Sequence, residues 1–210
     1  MTEQGVTSWV TYSRSYFRAI REVAAYGYRR LNFPRRLYER WRPLSLPTSI
    51  GSVLFVCKGN ICRSPLAAIY FESLVRRGGR NIRVGSAGLE TTPGKPAHSN
   101  SKLVAREHEL SLDAHATAQL TRKLVQETDL IVVMEIGQLD RMHRVYPQAA
   151  GKVVLLGALD GRGPLEIADP FGREIDHFRV CFDEMRRGCN GLAVRMAIPL
   201  AESSRATESA

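Results

Sequence analysis

Val53-Leu-Phe-Val-Cys57-Lys-Gly-Asn-Ile-Cys62-Arg-Ser-Pro65 is the stretch on which the fold turns. Val53 to Val56 is a short, uninterrupted apolar run, the pattern of a strand buried on both faces of a parallel sheet. After Ser64 the spacing changes: Leu66, Ile69, Tyr70, Leu74 and Val75 recur at helical intervals until Gly78-Gly79 stops them. Pro65 is expected at the first helical position. The same alternation continues outward. Ile82-Arg-Val-Gly-Ser86 reads as a second strand, followed by a loop through Pro93, Gly94 and Pro96. Helical stretches over 101–109 and 121–126 precede a third strand, Leu130-Ile-Val-Val-Met134. A helix over 135–145 leads to a fourth, Val153-Val-Leu-Leu156, and a loop over 157–172 leads to a closing helix over 174–187. Four strands with helices between them predict an α/β fold: a four-stranded parallel sheet with helices on both faces, doubly wound.

In such a sheet ligands bind beyond the carboxyl ends of the strands, where a strand feeds a helix. The segment from Cys57 to Ser64 occupies that place. Gly59 and Asn60 tolerate the backbone angles that turn amide groups inward to form an anion nest, and the helix that follows adds the positive end of its dipole. A phosphate is the natural occupant, with Lys58, Ile61 and Cys62 completing the loop. The field that holds a phosphate also favours thiolate at Cys57, making it a candidate nucleophile. Arg63 brings a planar fork that spans two phosphoryl oxygens, which a lysine cannot do, and Ser64 is placed to donate its hydroxyl to the sulfur. The loop lacks the Gly-Lys-Ser/Thr ending of a nucleotide-binding P-loop. Cys57 and Cys62 also lack a second ligand pair at zinc spacing, so neither metal nor cofactor is expected.

The chain has 210 residues, 44% of them apolar, enough for one ordinary domain with an appendage. Its composition shifts near residue 50. Residues 1–49 hold nine Arg, no Lys and three Glu, and so carry +6 of the net +9, together with both Trp and five of the seven Tyr. A linker with Pro43 and Pro47 separates this extension from a main domain over 50–200, and 201–210 read as a disordered tail. On a helical wheel Trp9, Tyr12, Tyr16, Ile20, Val23, Ala24 and Leu31 share one side, with Arg14, Arg18, Arg21 and Arg29 opposite. Such a helix suits docking through 8–42 onto an anionic membrane surface, onto the main domain or onto a second copy. A shorter helix is expected near 35–41. No nucleic-acid motif is present. No apolar run approaches the roughly 18 residues that span a bilayer, and the early arginines interrupt any signal peptide. The four cysteines, Cys57, Cys62, Cys181 and Cys189, do not make a disulfide scaffold. The expected location is the cytoplasm, with the extension offering peripheral attachment at the inner membrane surface.

Cys-x-Gly-Asn-x-Cys-Arg-Ser-Pro, followed in order by Ser86-Ala-Gly88, Asp129-Leu-Ile-Val-Val-Met134 and Asp169-Pro-Phe171, resembles the low-molecular-weight protein tyrosine phosphatases. Gly94-Lys-Pro-Ala97, Glu107-His-Glu-Leu-Ser-Leu112 and Gly151-Lys-Val-Val-Leu-Leu-Gly157 are most similar to the bacterial members that work with tyrosine autokinases in exopolysaccharide or capsule export. The resemblance implies hydrolysis of a phosphotyrosine protein, such as a tyrosine autokinase, through a cysteinyl-phosphate on Cys57. By position alone Asp169, before a proline, is usually only a turn residue; the resemblance reverses that and makes it general acid and then base. It likewise makes Phe171 an aromatic wall for the substrate ring, Asn60, Ser86 and His115 a network that holds the loop, and Cys62 a reversible disulfide partner of Cys57 or a small packing residue. Cys181 and Cys189 read as packing residues. Three positions depart from the family's pattern: Phe171 stands where Tyr is common, Ala118 where Arg is usual and His98 where Asp is usual.

Three other functions stay in view. Arsenate reductases of this architecture relay a disulfide through two further mid-chain cysteines, and none lies between Cys62 and Cys181. Arginine phosphatases resemble the same loop with Thr at the position of Ile61. The third alternative is a phosphate-binding tether without turnover. Lys58 adds a charge at the mouth of the loop that either recruits acidic peptides or is simply solvated.

Overall fold

The computed structural model describes residues 46–200. The helices expected within the first 45 residues, and the tail over 201–210, lie outside the described residues. The described chain runs β1 (Ser52–Cys57), α1 (Arg63–Arg77), β2 (Arg83–Gly88), α2 (Ser99–Glu107), α3 (Arg122–Glu127), β3 (Leu130–Val133), α4 (Ile136–Val145), a 3-10 turn (Pro147–Lys152), β4 (Val153–Leu155), α5 (Leu156–Leu159) and α6 (Ile175–Arg195). All strand pairs are parallel, in the order β2-β1-β3-β4. The four-stranded parallel sheet with helices on both faces that the sequence predicts is the fold. Its order reverses between β1 and β3, which puts the ligand-binding switch point at the end of β1.

The continuous apolar runs follow from burial on both faces. One face carries Val53, Phe55 and Cys57 of β1 and Leu130 and Val132 of β3, packed on α1 and α6. The other carries Leu54, Val56, Ile131 and Val133, packed on α3 and α4. Because side chains alternate with a period of two, Cys57 falls in phase with Phe55 and points to the α1 side. At the opposite end of β1, the Asp129 carboxylate accepts from the Gly51 amide at 3.0 Å and the Ser52 hydroxyl at 2.8 Å, tying the starts of β1 and β3 together. The Ser52 hydroxyl, then the Gly51 amide, hold that carboxyl below the usual range.

Three expectations are corrected. α1 begins at Arg63, so Pro65 is its third residue rather than its first; the amides of a first turn have no helical partner, and the ring is tolerated there as well. Part of the loop expected over 157–172 is the short α5, which continues straight from β4. The closing helix runs to Arg195 rather than 187. Gly188, just past the expected end of that helix, and Gly191 serve close packing: a Cβ on Gly188 would stand 2.7 Å from the Leu156 carbonyl oxygen, and one on Gly191 would overlap that of Leu159.

Candidate active site

The loop between β1 and α1 closes on the sulfur of Cys57. The Asn60 amide donates to Cys57 Sγ at 3.3 Å, and the Ser64 hydroxyl lies 3.1 Å from the same sulfur. Asn60 is fully buried with φ of 55°, a left-handed conformation that asparagine accepts more readily than most residues. Its side chain donates to Ser64 Oγ and to Ser86 Oγ, each at 2.9 Å, and accepts from the Ala118 amide at 2.8 Å. Its carbonyl oxygen lies 2.8 Å from His115 Nε2; a carbonyl only accepts, so the ring hydrogen belongs on that nitrogen. The expected network of Asn60, Ser86 and His115 is thus assembled, with the Ala118 amide added to it. Gly59 does not take a left-handed φ, contrary to its sequence reading. The glycine that the loop needs is Gly88, paired with Cys57 across β1 and β2. A Cβ there would stand 3.0 Å from the Lys58 carbonyl oxygen and 3.1 Å from Asn60 Cβ.

Between Cys57 and α1, the amides of Gly59, Ile61 and Cys62 make no hydrogen bond among the described residues. Arg63 lies beneath them, 2% exposed. Its Nη2 forms an ion pair with Asp169 Oδ2 at 2.8 Å, and its Nη1 donates to the Ile167 carbonyl at 3.1 Å and to the Glu135 carboxylate. Its Nε has no partner among the described residues. Burial opposes the charge on Arg63, but Asp169, Glu135 and Cys57 outweigh it and raise its pKa. Glu135 was not recognised in the sequence as a site residue. It directly follows the Met134 that ends the third apolar run, and so stands at the same sheet edge as Cys57.

The rim is aromatic and basic. Phe171 is 60% exposed, and its amide donates to Asp169 Oδ1 at 3.3 Å. His98 stands edge-on to the Phe171 ring at 5.8 Å and stacks on Phe178 at 4.9 Å. Beside the loop a groove of about 420 Å³ is lined by Gly59, Ile61, Glu90, Thr91, Thr92 and Lys95. Lys58, 69% exposed, approaches Glu90 at 3.9 Å, and Glu90 also pairs with Arg141. Cys62 caps the start of α1 from within the core. Burial first, then the negative charge of Asp169, push its thiol up to about 12. Cys181 and Cys189 are buried on α6, with thiols also pushed up by burial. All four cysteines are free. Among the described residues no cluster of His, Cys, Asp and Glu is arranged to hold a metal ion, and no helix is long and apolar enough to cross a membrane.

A strand-to-helix loop that closes on a thiol, with an arginine and a carboxylate beneath it, has close parallels among known proteins. The family model of the low molecular weight phosphotyrosine protein phosphatases matches residues 52–202. The low molecular weight protein-tyrosine-phosphatase Wzb of Escherichia coli K12 is 38% identical over 137 residues, covering 65% of this chain and 89% of its own. Among solved structures, the Erwinia amylovora tyrosine phosphatase AmsI superposes with a TM-score of 0.66 at 31% identity, over 72% of this chain and 97% of its own. The YwlE arginine phosphatase of Geobacillus stearothermophilus superposes with a TM-score of 0.64 at 30% identity, over 70% and 92%. The chain belongs to the low molecular weight phosphotyrosine protein phosphatase family. It is accordingly a phosphoric monoester hydrolase.

Proposed function

We propose that this phosphatase hydrolyses phosphotyrosine in proteins through a cysteinyl-phosphate on Cys57. The observation that carries the reading is the convergence on one sulfur of the Asn60 amide and the Ser64 hydroxyl, with Arg63 and Asp169 joined at 2.8 Å beneath the same loop. The phosphate dianion takes the unpaired loop amides and the unpaired Nε of Arg63, replacing Asp169 on the guanidinium. The displaced carboxylate takes up the proton that the Cys57 thiol gives up on becoming the thiolate, and turns to the leaving oxygen. Cys57 sulfur attacks phosphorus, and the phosphorus–oxygen bond breaks as Asp169 gives its proton to the departing phenolate. Arg63 and the amides hold the charge on the equatorial oxygens. Asp169 then takes a proton from water as it attacks phosphorus, and the sulfur departs onto the Ser64 hydrogen bond.

Phosphotyrosine is favoured over phosphoarginine by the apolar Ile61 in the loop and by the exposed Phe171 ring beside it. Similarity of fold does not discriminate, since a tyrosine phosphatase and an arginine phosphatase superpose about equally well. The test is kcat/KM on matched phosphotyrosine and phosphoarginine peptides, with tyrosine expected to lead; equal or faster phosphoarginine turnover overturns the specificity. A tether without turnover is excluded if phosphate is released steadily from para-nitrophenyl phosphate and the release is lost in Cys57→Ser. The motifs shared with exopolysaccharide-associated members make a tyrosine autokinase the proposed physiological substrate, to be sought among phosphoproteins retained by a Cys57→Ser trap. The proposed setting is the cytoplasm, with residues 8–42 serving to dock on an anionic membrane or a second copy.

A further inference from the structure

His98 is held from several sides at once, its carbonyl accepting from the Lys102 amide at 3.0 Å. Its amide donates to the Ile61 carbonyl of the phosphate loop at 2.8 Å. Its Nδ1 accepts from the Asn100 amide at 3.2 Å, capping the start of α2. Its ring stacks on Phe178, with planes 20° apart. The edge of the pair between His98 and Phe171 completes the set, with planes at 77°. The last contact is the unusual one, because Phe171 sits on an exposed loop and lacks a place in either core cluster.

We infer that His98 is the positioning residue for aryl recognition: a three-ring tier of Phe178, His98 and Phe171 fixes the substrate wall and, through it, the carboxyl of Asp169. The tier starts in the core, since Phe178 is fully buried on α6, and ends at the mouth. An exposed ring after a proline turn has several rotamers of similar energy; the edge-on contact selects one of them. The Phe171 amide donates to Asp169 Oδ1 while Asp169 Oδ2 sits on Arg63, so settling Phe171 also settles the loop that carries the acid. With Nδ1 accepting from Asn100, the ring hydrogen lies on Nε2 and the imidazole is uncharged in this arrangement. His98 touches no reacting atom; its effect passes through Phe171.

The inference rests on the reading of Phe171 as the wall for a phosphotyrosyl ring. Two variants separate the two jobs of His98. His98→Asn keeps a capping acceptor but deletes the ring; His98→Phe keeps a ring but deletes the cap. The probes are two competitive inhibitors of the full-length protein, benzylphosphonate and inorganic phosphate, with thermal unfolding measured alongside. For His98→Asn the inhibition constant of benzylphosphonate should rise about 3- to 10-fold, the worth of one aromatic pair, while that of phosphate stays unchanged. His98→Phe should bind benzylphosphonate like the parent, although its unfolding temperature falls. Equal shifts for both inhibitors in His98→Asn, no shift for either, or loss of aryl affinity in His98→Phe would overturn the inference. If the parent protein neither turns over aryl phosphates nor binds benzylphosphonate, the proposed function fails instead, and the two failures are told apart.

Discussion

The Arg63 guanidinium and the Asp169 carboxylate meet at 2.8 Å beneath the phosphate loop. In the proposed mechanism the clamp and the acid are thus paired with each other, and the incoming phosphate separates them. The pair predicts a dependence on the leaving group. Asp169→Asn should lower kcat on a phosphotyrosine peptide by about 10²- to 10⁴-fold, and by much less on an aryl phosphate whose oxygen departs without help from a proton. Steady-state rates on both substrates check it; equal losses would remove Asp169 from the acid role.

Glu135 is the other carboxylate on Arg63. In Glu135→Ala a nearly buried guanidinium loses one of its acceptors, at about 1 to 3 kcal/mol of folding stability. Urea unfolding should register that loss, and kcat/KM should fall as the fork loses its alignment. An unchanged midpoint with full activity would make the contact incidental.

Asn60 combines a strained backbone with a full set of side-chain bonds. Asn60→Ala loses both the bonds and the tolerance for its φ; Asn60→Gly loses only the bonds. Both should lose activity, and the glycine variant should be the more stable by about 1 to 2 kcal/mol, as read from denaturant unfolding.

The cysteines should differ sharply in reactivity. A thiol pushed up to about 12 is, four units lower at pH 8, thiolate in roughly one molecule in ten thousand. A small alkylating agent at pH 8 should mark Cys57 and spare Cys62, Cys181 and Cys189, whose thiols burial pushes up. Peptide mass mapping before unfolding decides this, and modification of Cys62 at a comparable rate would revive it as a fast redox partner.

Asp129 serves the fold and not the chemistry. Its carboxyl is held below the usual range, so its contribution to stability is present above the unfolded value near pH 4 and fades as pH falls through the lower folded value. Asp129→Ala should lower the unfolding temperature at pH 7 while leaving KM for an aryl phosphate unchanged. A variant with intact stability would dismiss the strut.

Much of this was legible because it is local. The strand from Val53, the turn at Asn60 and the helix through Leu74 are encoded within about twenty consecutive residues, and the family's motifs mark Cys57, Arg63 and Asp169. What escaped reading depends on distant neighbours. Glu135 is 72 positions from the arginine it holds, and nothing in its own segment announces the pairing. The helix expected to end at 187 runs on through Gly188 and Gly191 because the backbone of α5 packs against them. His98 read as a departure from pattern; its role depends on Phe171 and Phe178, brought together by the long loop before α6.

The chain enters β1 at Gly51, six strand residues and about 20 Å from the sulfur of Cys57. Near the C-terminal end of the described chain, Ile198 lies against Gly78, where α1 ends after running back from the site. Handle and mouth are thus at opposite poles. A bead, a biosensor chip or a fusion partner attached beside Gly51 or Ile198 leaves the catalytic pole facing free solution, open to the approach of bulky protein substrates.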